Sequence, residues 1–585
     1  MTRAGSFGAA LYNGSDFGFV GGSYEAPMTL QDAQRLINWY VEMDPMPTAK
    51  EQLALLGCPG LNQVAGTAAN TQVRGMWVLP GSQQALVVAG NTCYVMKITV
   101  PATQTSIAQF SITAVGTLLT NSGPVIIRDN GVLTNGLGGY AVMVDGIYAY
   151  YYLLSGVPQN VVFLANLTAA SVNAAFPGSL PPGLIITPNA TLTSGTGSLP
   201  ANEHLLSVDT VALTFVMSLN AIAGPSNDTL TLHVPVFGQI TDPGFLGSDR
   251  IAFIEGWLIF NDPGTRTFYT TGPTPYQLLF PGAFFALKDS STDNLITLYE
   301  NNRELWLVGE RTSEVWFNAG GTNFPFQRIP GVGPQVGCAA VHSITRAGAT
   351  LVWLGRNEQG QNIVIMQDQY SFKRISTHAV EHAIASYPVV NDAIGYGYEE
   401  DGHLFYMLIF PTADVTWCFD LTAGVWHQRA SFTPTTGQFH RHRSNCFMDF
   451  ADLRLVGDYQ TGQVLQMSRQ YFTDAGQPLV CVRRTPHVWS KATRERVFIA
   501  QLQIEFTPGV GLQTGQGQDP QVMLRWSDDG GFTWSSEHWS SIGAAGATKH
   551  RAIFRLLGRA RDRVWEASFS DPVQRDIIGA TMYAE

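Results

Sequence analysis

The sequence predicts an all-β protein: a β-propeller of about six blades, a β domain inserted into one propeller loop, and a C-terminal β module. Three observations lead there. A unit of strand, short polar turn and strand returns along the chain at a spacing of about 45 residues, the length of a four-stranded propeller blade. Helical periodicity is scarce. Two stretches, 155–248 and 473–585, are rich in strand pattern but break the rhythm. A pair of β-sandwiches has the same alternation, and pattern alone leaves it open.

The elements follow in chain order. Residues 1–65 read as an N-terminal arm and platform segment. The first 35 are Gly-rich and then polar, with little core of their own. "LINWYVE" is strand-like, "AKEQLALL" reads as one helical turn or as an extended run, and "GCPGL" ends it through Gly and Pro. The strand–turn–strand unit appears at 74–98, 123–153, 255–272, 302–321, 348–368, 402–429 and 452–468. These units assign 66–154 and 249–472 to two parts of the propeller. The best helical candidate is "ISTHAVEHAIASY" (375–387), with Ser376 or Thr377 as cap. Between the two parts, 155–248 is Pro/Gly/Thr-rich and carries the strands "VDTVALTFVMSL" and "DTLTLHVPV", the pattern of an inserted β domain. The C-terminal module contains "VFIAQLQIEF", a hairpin around "RWSDDGGFTW", and "RVWEASF".

Composition narrows the function. Only 14% of the 585 residues are charged while 45% are hydrophobic, which suits a subunit with extensive protein interfaces. A net charge of −11 argues against a general nucleic-acid binder, which needs a basic footprint. The distribution is uneven: 131–249 has no Lys or Arg, whereas "KHRAIFRLLGRARDR" (549–563) is strongly basic. Six cysteines without a C-x-x-C pair read as reduced core residues of a protein made in a cytosol. The N-terminus lacks the sustained apolar region of a secretory signal, and no run of 18 apolar residues predicts a membrane span.

Few residues suggest chemistry. Ser527, Asp529, Gly531, Thr533 and Trp534 spell S-x-D-x-G-x-T-W, which resembles the Asp-box of sialidases and related propeller proteins. Its local physics is that of a turn: Asp side chains bond nearby N–H groups and Gly supplies positive φ. "FTW" is expected to begin the return strand, with Trp534 packed beneath the turn. His440, His442 and Cys446 lack a further zinc ligand and read as a polar loop. His403, beside Glu399, Glu400 and Asp401, reads as an acid–base pair or as an exposed turn. "GVGPQVG" (331–337) misses the dinucleotide pattern and precedes no clear helix. A sialidase would clamp its substrate with several arginines. Arg303, Arg311, Arg328, Arg356 and Arg374 are available, but nothing in the sequence converges them. No catalytic, cofactor-binding or metal-binding residue is assigned. Arg551, Arg555, Arg559, Arg561 and Arg563 form either a nucleic-acid patch or, at period two, the outer face of a strand that meets acids of a neighbour. The net charge favours the second, which makes these five candidate interface residues.

Several stretches, taken in order, resemble one family. They are "INWYVE" with "AKEQLALLGCPGL", "RELWLVGERTSEVWFNAGG", "VWLGRNEQGQNIVIMQDQYSFKRISTHAVEHAIASY", "LFYMLIFPTADVTWCFDLTAGVWHQR" and "RLLGRARDRVW". The sequence is similar to the tail hub, or tail nozzle, proteins of short-tailed bacteriophages, the packaged DNA stabilisation family, over 36–98 and 250–585. The resemblance implies a virion protein made in the bacterial cytoplasm, without catalytic residues or cofactor. It implies a homohexameric ring beneath the head-to-tail adaptor and portal, tail fibres or tailspikes docked outside, a plug or needle at the end, and passage of genomic DNA. The Lys/Arg-free insert suits a DNA conduit, because each phosphate contact would add affinity. The alternative is a virion-associated sialidase-like glycosidase or a glycan-binding propeller, with Trp526, Trp534 and Trp539 as candidate sugar-stacking groups.

Overall fold

The computed structural model describes residues 10–13, 17–46, 49–103, 106–131, 139–167, 173–175, 191–194, 205–209, 214–217, 228–272, 278–321, 324–489 and 495–584. Strands dominate. The one α-helix among the described residues, His378–Ala385, is capped by Thr377, whose hydroxyl accepts from the Val380 N–H at 3.4 Å.

Seven antiparallel blades form a closed propeller, where the spacing predicts about six. Blade 1 is Val73–Val78, Gln84–Ala89, Thr92–Val100 and Gln109–Thr117. Blade 2 is Ile126–Asp129, Tyr140–Val144, Ala149–Leu153 and Phe237–Ile240. Blade 3 is Ile251–Ile254, Trp257–Asn261, Thr267–Thr270 and Phe285–Leu287, and blade 4 is Leu295–Asn301, Glu304–Gly309, Ser313–Asn318 and Phe326–Arg328. In blade 5 a 3₁₀ turn, Val341–Ser343, interrupts the inner strand, and Thr350–Arg356, Asn362–Asp368 and Ser371–Arg374 follow. Blade 6 is Ile394–Glu400, His403–Phe410, Val415–Asp420 and Val425–Gln428. Blade 7 takes Ser444–Phe450, Leu453–Asp458 and Gln463–Ser468 from the chain's later part and its outer strand, Gly60–Gly66, from near the start. Leu61 stands opposite Met467 in that closing pair. Residues 1–65, expected to lie outside the propeller, therefore supply the strand that shuts it.

Blade strands read as continuous apolar runs because both faces of a blade are covered by its neighbours. Trp306, Val308 and Val315 of blade 4 pack on Leu351, Trp353 and Ile365 of blade 5, all at or near zero exposure. Each such side chain contributes about 1.5–3 kcal/mol through burial. Inner strands crowd towards the axis. A Cβ on Gly75 of blade 1 would lie 2.2 Å from the Val125 carbonyl at the start of blade 2, so no larger residue fits there.

The C-terminal module is a two-sheet sandwich into which the N-terminal segment is woven. One sheet runs Ala33–Ile37, Cys481–Arg484, Asp562–Phe569, Gln521–Ser527, His538–Ser541. The other runs Trp39–Met43, Leu53–Gly57, Ile577–Ala584, Val497–Phe506, Ala552–Arg555. Trp39, Ile504, Trp565 and Phe569 meet in the shared core. Asn38, at φ 56°, turns the chain from the first sheet into the second. Asn tolerates this left-handed conformation, and its amide donates to the Ala430 and Val480 carbonyls at 2.8 Å each. "AKEQLALL" resolves into the strand Leu53–Gly57 rather than a helical turn.

A further six-stranded sheet sits between the third and fourth strands of blade 2. It comprises Gln159–Leu167, Asn173–Ala175, Thr191–Ser194, Leu205–Asp209, Thr214–Met217 and Asp228–Val234. Its first and last strands pair with Gln159 opposite Val234, so the segment leaves and re-enters the blade at one point.

Candidate functional site: the propeller axis and the sandwich edge

Side chains of blades 2 to 5 meet toward the propeller axis. Arg128 of blade 2 donates from Nε to Glu300 of blade 4 at 3.3 Å, which spans past blade 3. Arg250, at the start of blade 3, donates from Nη2 to the Ile344 carbonyl of blade 5 at 3.1 Å, past blade 4. Groups on non-adjacent blades meet only near the centre. The Arg128 guanidinium also lies 4.4 Å from the Trp77 ring, and that of Arg250 lies 5.3 Å from Tyr299. Burial pulls the Arg250 pKa down to about 10.

The S-x-D-x-G-x-T-W stretch is a hydrogen-bonded turn on the sandwich. The Ser527 hydroxyl donates to Asp529 at 2.6 Å and accepts from the Gly531 N–H at 2.7 Å. Asp529 accepts from the Thr533 N–H at 2.9 Å and its hydroxyl at 2.6 Å. Those bonds, the Ser527 hydroxyl's foremost, hold the Asp529 carboxyl well below the usual carboxylate range. Trp534 Nε1 donates to the Gly531 carbonyl at 3.1 Å. Its half-buried ring lies 4.9 Å from Arg484 and 4.8 Å from Arg525, both paired to Glu566 at 2.8 and 2.7 Å. The turn thus clamps a Trp over an Arg–Glu–Arg cluster. The return strand does not start at "FTW": ladder pairing resumes at His538, opposite Leu524, because the Asp529 and Ser535 bonds hold 528–536 as a loop.

The basic stretch divides in two. Arg563 does not share an outer face with Arg559 and Arg561. It is 2% exposed, donates to both oxygens of Asp528 at 2.6 and 2.8 Å, and lies between Trp526 and Trp565. The short strand Arg559–Ala560 ends before Asp562–Phe569 begins, and this break upsets the period of two. Arg551, Arg555, Arg559 and Arg561 are exposed. Arg551 lies 3.9 Å from Glu505, whereas no acid among the described residues reaches Arg555, Arg559 or Arg561. They flank Leu556 in sequence, which is 86% exposed at φ 58°.

The other sequence candidates separate. His440 pairs with Asp414 at 2.6 Å, His442 accepts from Arg429 Nη2 at 3.2 Å, and the Cys446 thiol faces the Val73 carbonyl. Burial drives the His442 pKa well below its ordinary value. Arg303 pairs with Glu255, Arg328 with Asp289 and Arg374 with Glu381, so these arginines serve different local partners. Trp526 stacks on His538, and Trp539 is exposed. No group of three or more His, Cys, Asp and Glu among the described residues is arranged to hold a metal. His403 is buried rather than in an exposed turn, and its partners are distant in sequence. Nδ1 faces Asp420 at 2.6 Å and Nε2 faces Glu42 of the sandwich at 2.8 Å. Burial alone would lower its pKa, but the two carboxylates outweigh burial and raise it. This bridge was not legible, because Glu42 lies 361 residues away. It floors a cleft of about 640 Å³ between propeller and sandwich.

Comparison with known proteins identifies both halves. Residues 214–471 match the family model described as Bacteriophage P22 Gp10, beta-propeller, and 482–585 match Bacteriophage P22 Gp10, beta-sandwich. No curated protein sequence matches the chain. Among solved structures, the N-terminal domain of Nup159 is 7% identical with a TM-score of 0.33, covering 73% of this chain and 98% of that one. The WD40 domain of Toxoplasma gondii coronin is 8% identical with a TM-score of 0.31, covering 70% and 86%. Superpositions this loose carry no functional information. The two family matches fall in order on the propeller and the sandwich and together span more than half of the sequence: the chain belongs to the Gp10 family of tail hub, or packaged DNA stabilisation, proteins of short-tailed bacteriophages, as a structural virion protein.

Proposed function

We propose that this chain forms a ring, a homohexamer, that closes the portal channel of a short-tailed phage. The ring retains packaged DNA, conducts it at ejection, and docks tail fibres or spikes on its outside, with the adaptor above and a plug or needle below. It acts without catalysis. The observation that carries the reading is the ordered match to both parts of a phage Gp10 protein on one chain. The geometry supports it. Arg128, Glu300 and Arg250 converge between blades 2 and 5, and in this reading the duplex passes between copies rather than through one propeller. The segment 131–249, free of Lys and Arg, holds three strands of blade 2 and the sheet of 159–234 that leaves that blade, and it offers no cation to hold a sliding phosphate. Imaging of the purified full-length chain tests the proposal: a six-fold ring with a central opening is expected. A monomer that degrades a polysaccharide would overturn it.

A further inference from the structure

The sandwich carries two unlike surfaces at opposite edges of one sheet. Its strand order starts at Trp39–Met43 and ends at Ala552–Arg555. Four strand spacings separate those edges, roughly 19 Å. Beside the first lies the cleft of about 640 Å³, with Met43, Pro45 and Leu53 as apolar wall and Glu42, Asp44 and Asp401 as acids. Glu42 also faces His403, and Asp401 faces Arg469 at 2.7 Å, but their side chains remain 41% and 52% exposed. Asp44 is exposed and has no ion-pair partner among the described residues. At the second edge stands the tip Arg555, Leu556, Arg559 and Arg561. A non-glycine residue in the left-handed region costs about 1–3 kcal/mol, and here that conformation holds a leucine out in water.

We infer that the tip of one copy seats in the cleft of the next, with Leu556 against the apolar wall and the arginines against Glu42, Asp44 and Asp401. The inference rests on the ring reading above and names its contact. Each surface fits the other and neither fits itself, so the contact is head-to-tail. A head-to-tail contact of this kind gives a ring when its rotation closes and an open filament when it does not, and the ring reading takes the first. An apolar anchor ringed by opposed charges is also the usual anatomy of an energetic centre. Leu556 is the anchor, and the charges set the register.

Mass photometry of the full-length chain over a concentration series tests this. Three variants are compared with the parent: Leu556→Asp, Arg555→Glu with Arg559→Glu, and Asp44→Arg. All three change exposed residues, and an unchanged thermal melt checks that each is folded. Each is expected to raise the concentration needed for ring formation by at least about thirtyfold, the loss typical of a central anchor. Combining Arg555→Glu and Arg559→Glu with Asp44→Arg in one chain should restore most of it. Folded variants that form rings as the parent does would overturn the contact and leave the ring reading standing. A parent that stays monomeric at all concentrations would overturn both.

Discussion

Arg563→Gln should weaken the sandwich without touching an outer surface. Arg563 is nearly fully buried and gives Asp528 two hydrogen bonds, at 2.6 and 2.8 Å, and the Leu557 carbonyl a third. Its guanidinium carbon lies 5.0 Å from the Trp526 ring and 5.1 Å from that of Trp565. Removing one partner of a buried pair costs about 3–5 kcal/mol. Here the Asp528 side chain is 45% exposed, so water takes over part of its solvation. Gln can also keep one bond. A loss of about 2–3 kcal/mol remains. Arg559→Gln and Arg561→Gln, on exposed side chains that no acid reaches among the described residues, should stay within about 0.5 kcal/mol of the parent. Urea unfolding followed by tryptophan fluorescence reads this directly, since Trp526 and Trp565 flank the site. An Arg563→Gln midpoint equal to the parent's, or an Arg561→Gln midpoint that falls as far, would refute the division of the basic stretch into a folding part and a surface part.

Deleting 159–234 and joining the ends with a short Gly turn should leave the propeller folded, because Gln159 and Val234 are ladder partners. Deleting 157–246 should not, because it removes Phe237–Ile240, the outer strand of blade 2; limited proteolysis separates the two outcomes. His403 is flanked by Glu42 and Asp420, with Tyr40 and Phe405 packed on its ring and His427 as a nearby charge-bearing group, and its pKa is raised on folding. The stabilisation from its protonated form is therefore complete below the unfolded value near ~6.5 and fades as pH rises through the folded one. Thermal melts across pH should show that slope in the parent and lose it in His403→Gln. Trp534→Ala should lower the melting temperature by removing a ring that two arginines face, a loss of about 1–2 kcal/mol, with no change in any enzymatic readout. Four lysines placed between 159 and 234 should slow DNA ejection from assembled particles at low salt, and high salt should relieve it. Ejection unchanged at low salt would remove that segment from the conduit.

Blade strands were legible because each carries its own apolar run and its own turn. "RELWLVGERTSEVWFNAGG" holds two whole strands of blade 4. What the alternation could not carry was pairing between distant segments. Gly60–Gly66 joins a strand some 400 positions away, and nothing local marks it as the closing strand of blade 7. The seven strand–turn–strand units each fall in one of the seven blades, so what the sequence missed was the partner that closes blade 7 and not the blade itself. Asn38 reads as a residue in a strand, yet its positive φ is what sends the chain from one sheet to the other. Arg563 has the charge and spacing of its exposed neighbours. Only the fold brings Asp528 and two tryptophans around it.

The weave of the N-terminal segment has a mechanical consequence. Ala33–Ile37 and Trp39–Met43 lie in the two sheets of the sandwich, Leu53–Gly57 extends the second, and Gly60–Gly66 closes the propeller. Only Cys58 and Pro59 separate sandwich from blade, and the Cys58 N–H donates to the Asn38 carbonyl at 2.9 Å. The same joint is pinned by charge, because Arg469 reaches Asp401 of blade 6 at 2.7 Å and Asp576 of the sandwich at 3.1 Å. The two domains therefore have no loose linker about which to swing, and loss of the closing strand would open the propeller and disturb the sandwich together. In the ring proposed above, that coupling would help a subunit hold its place, since local opening at either domain then costs contacts in both.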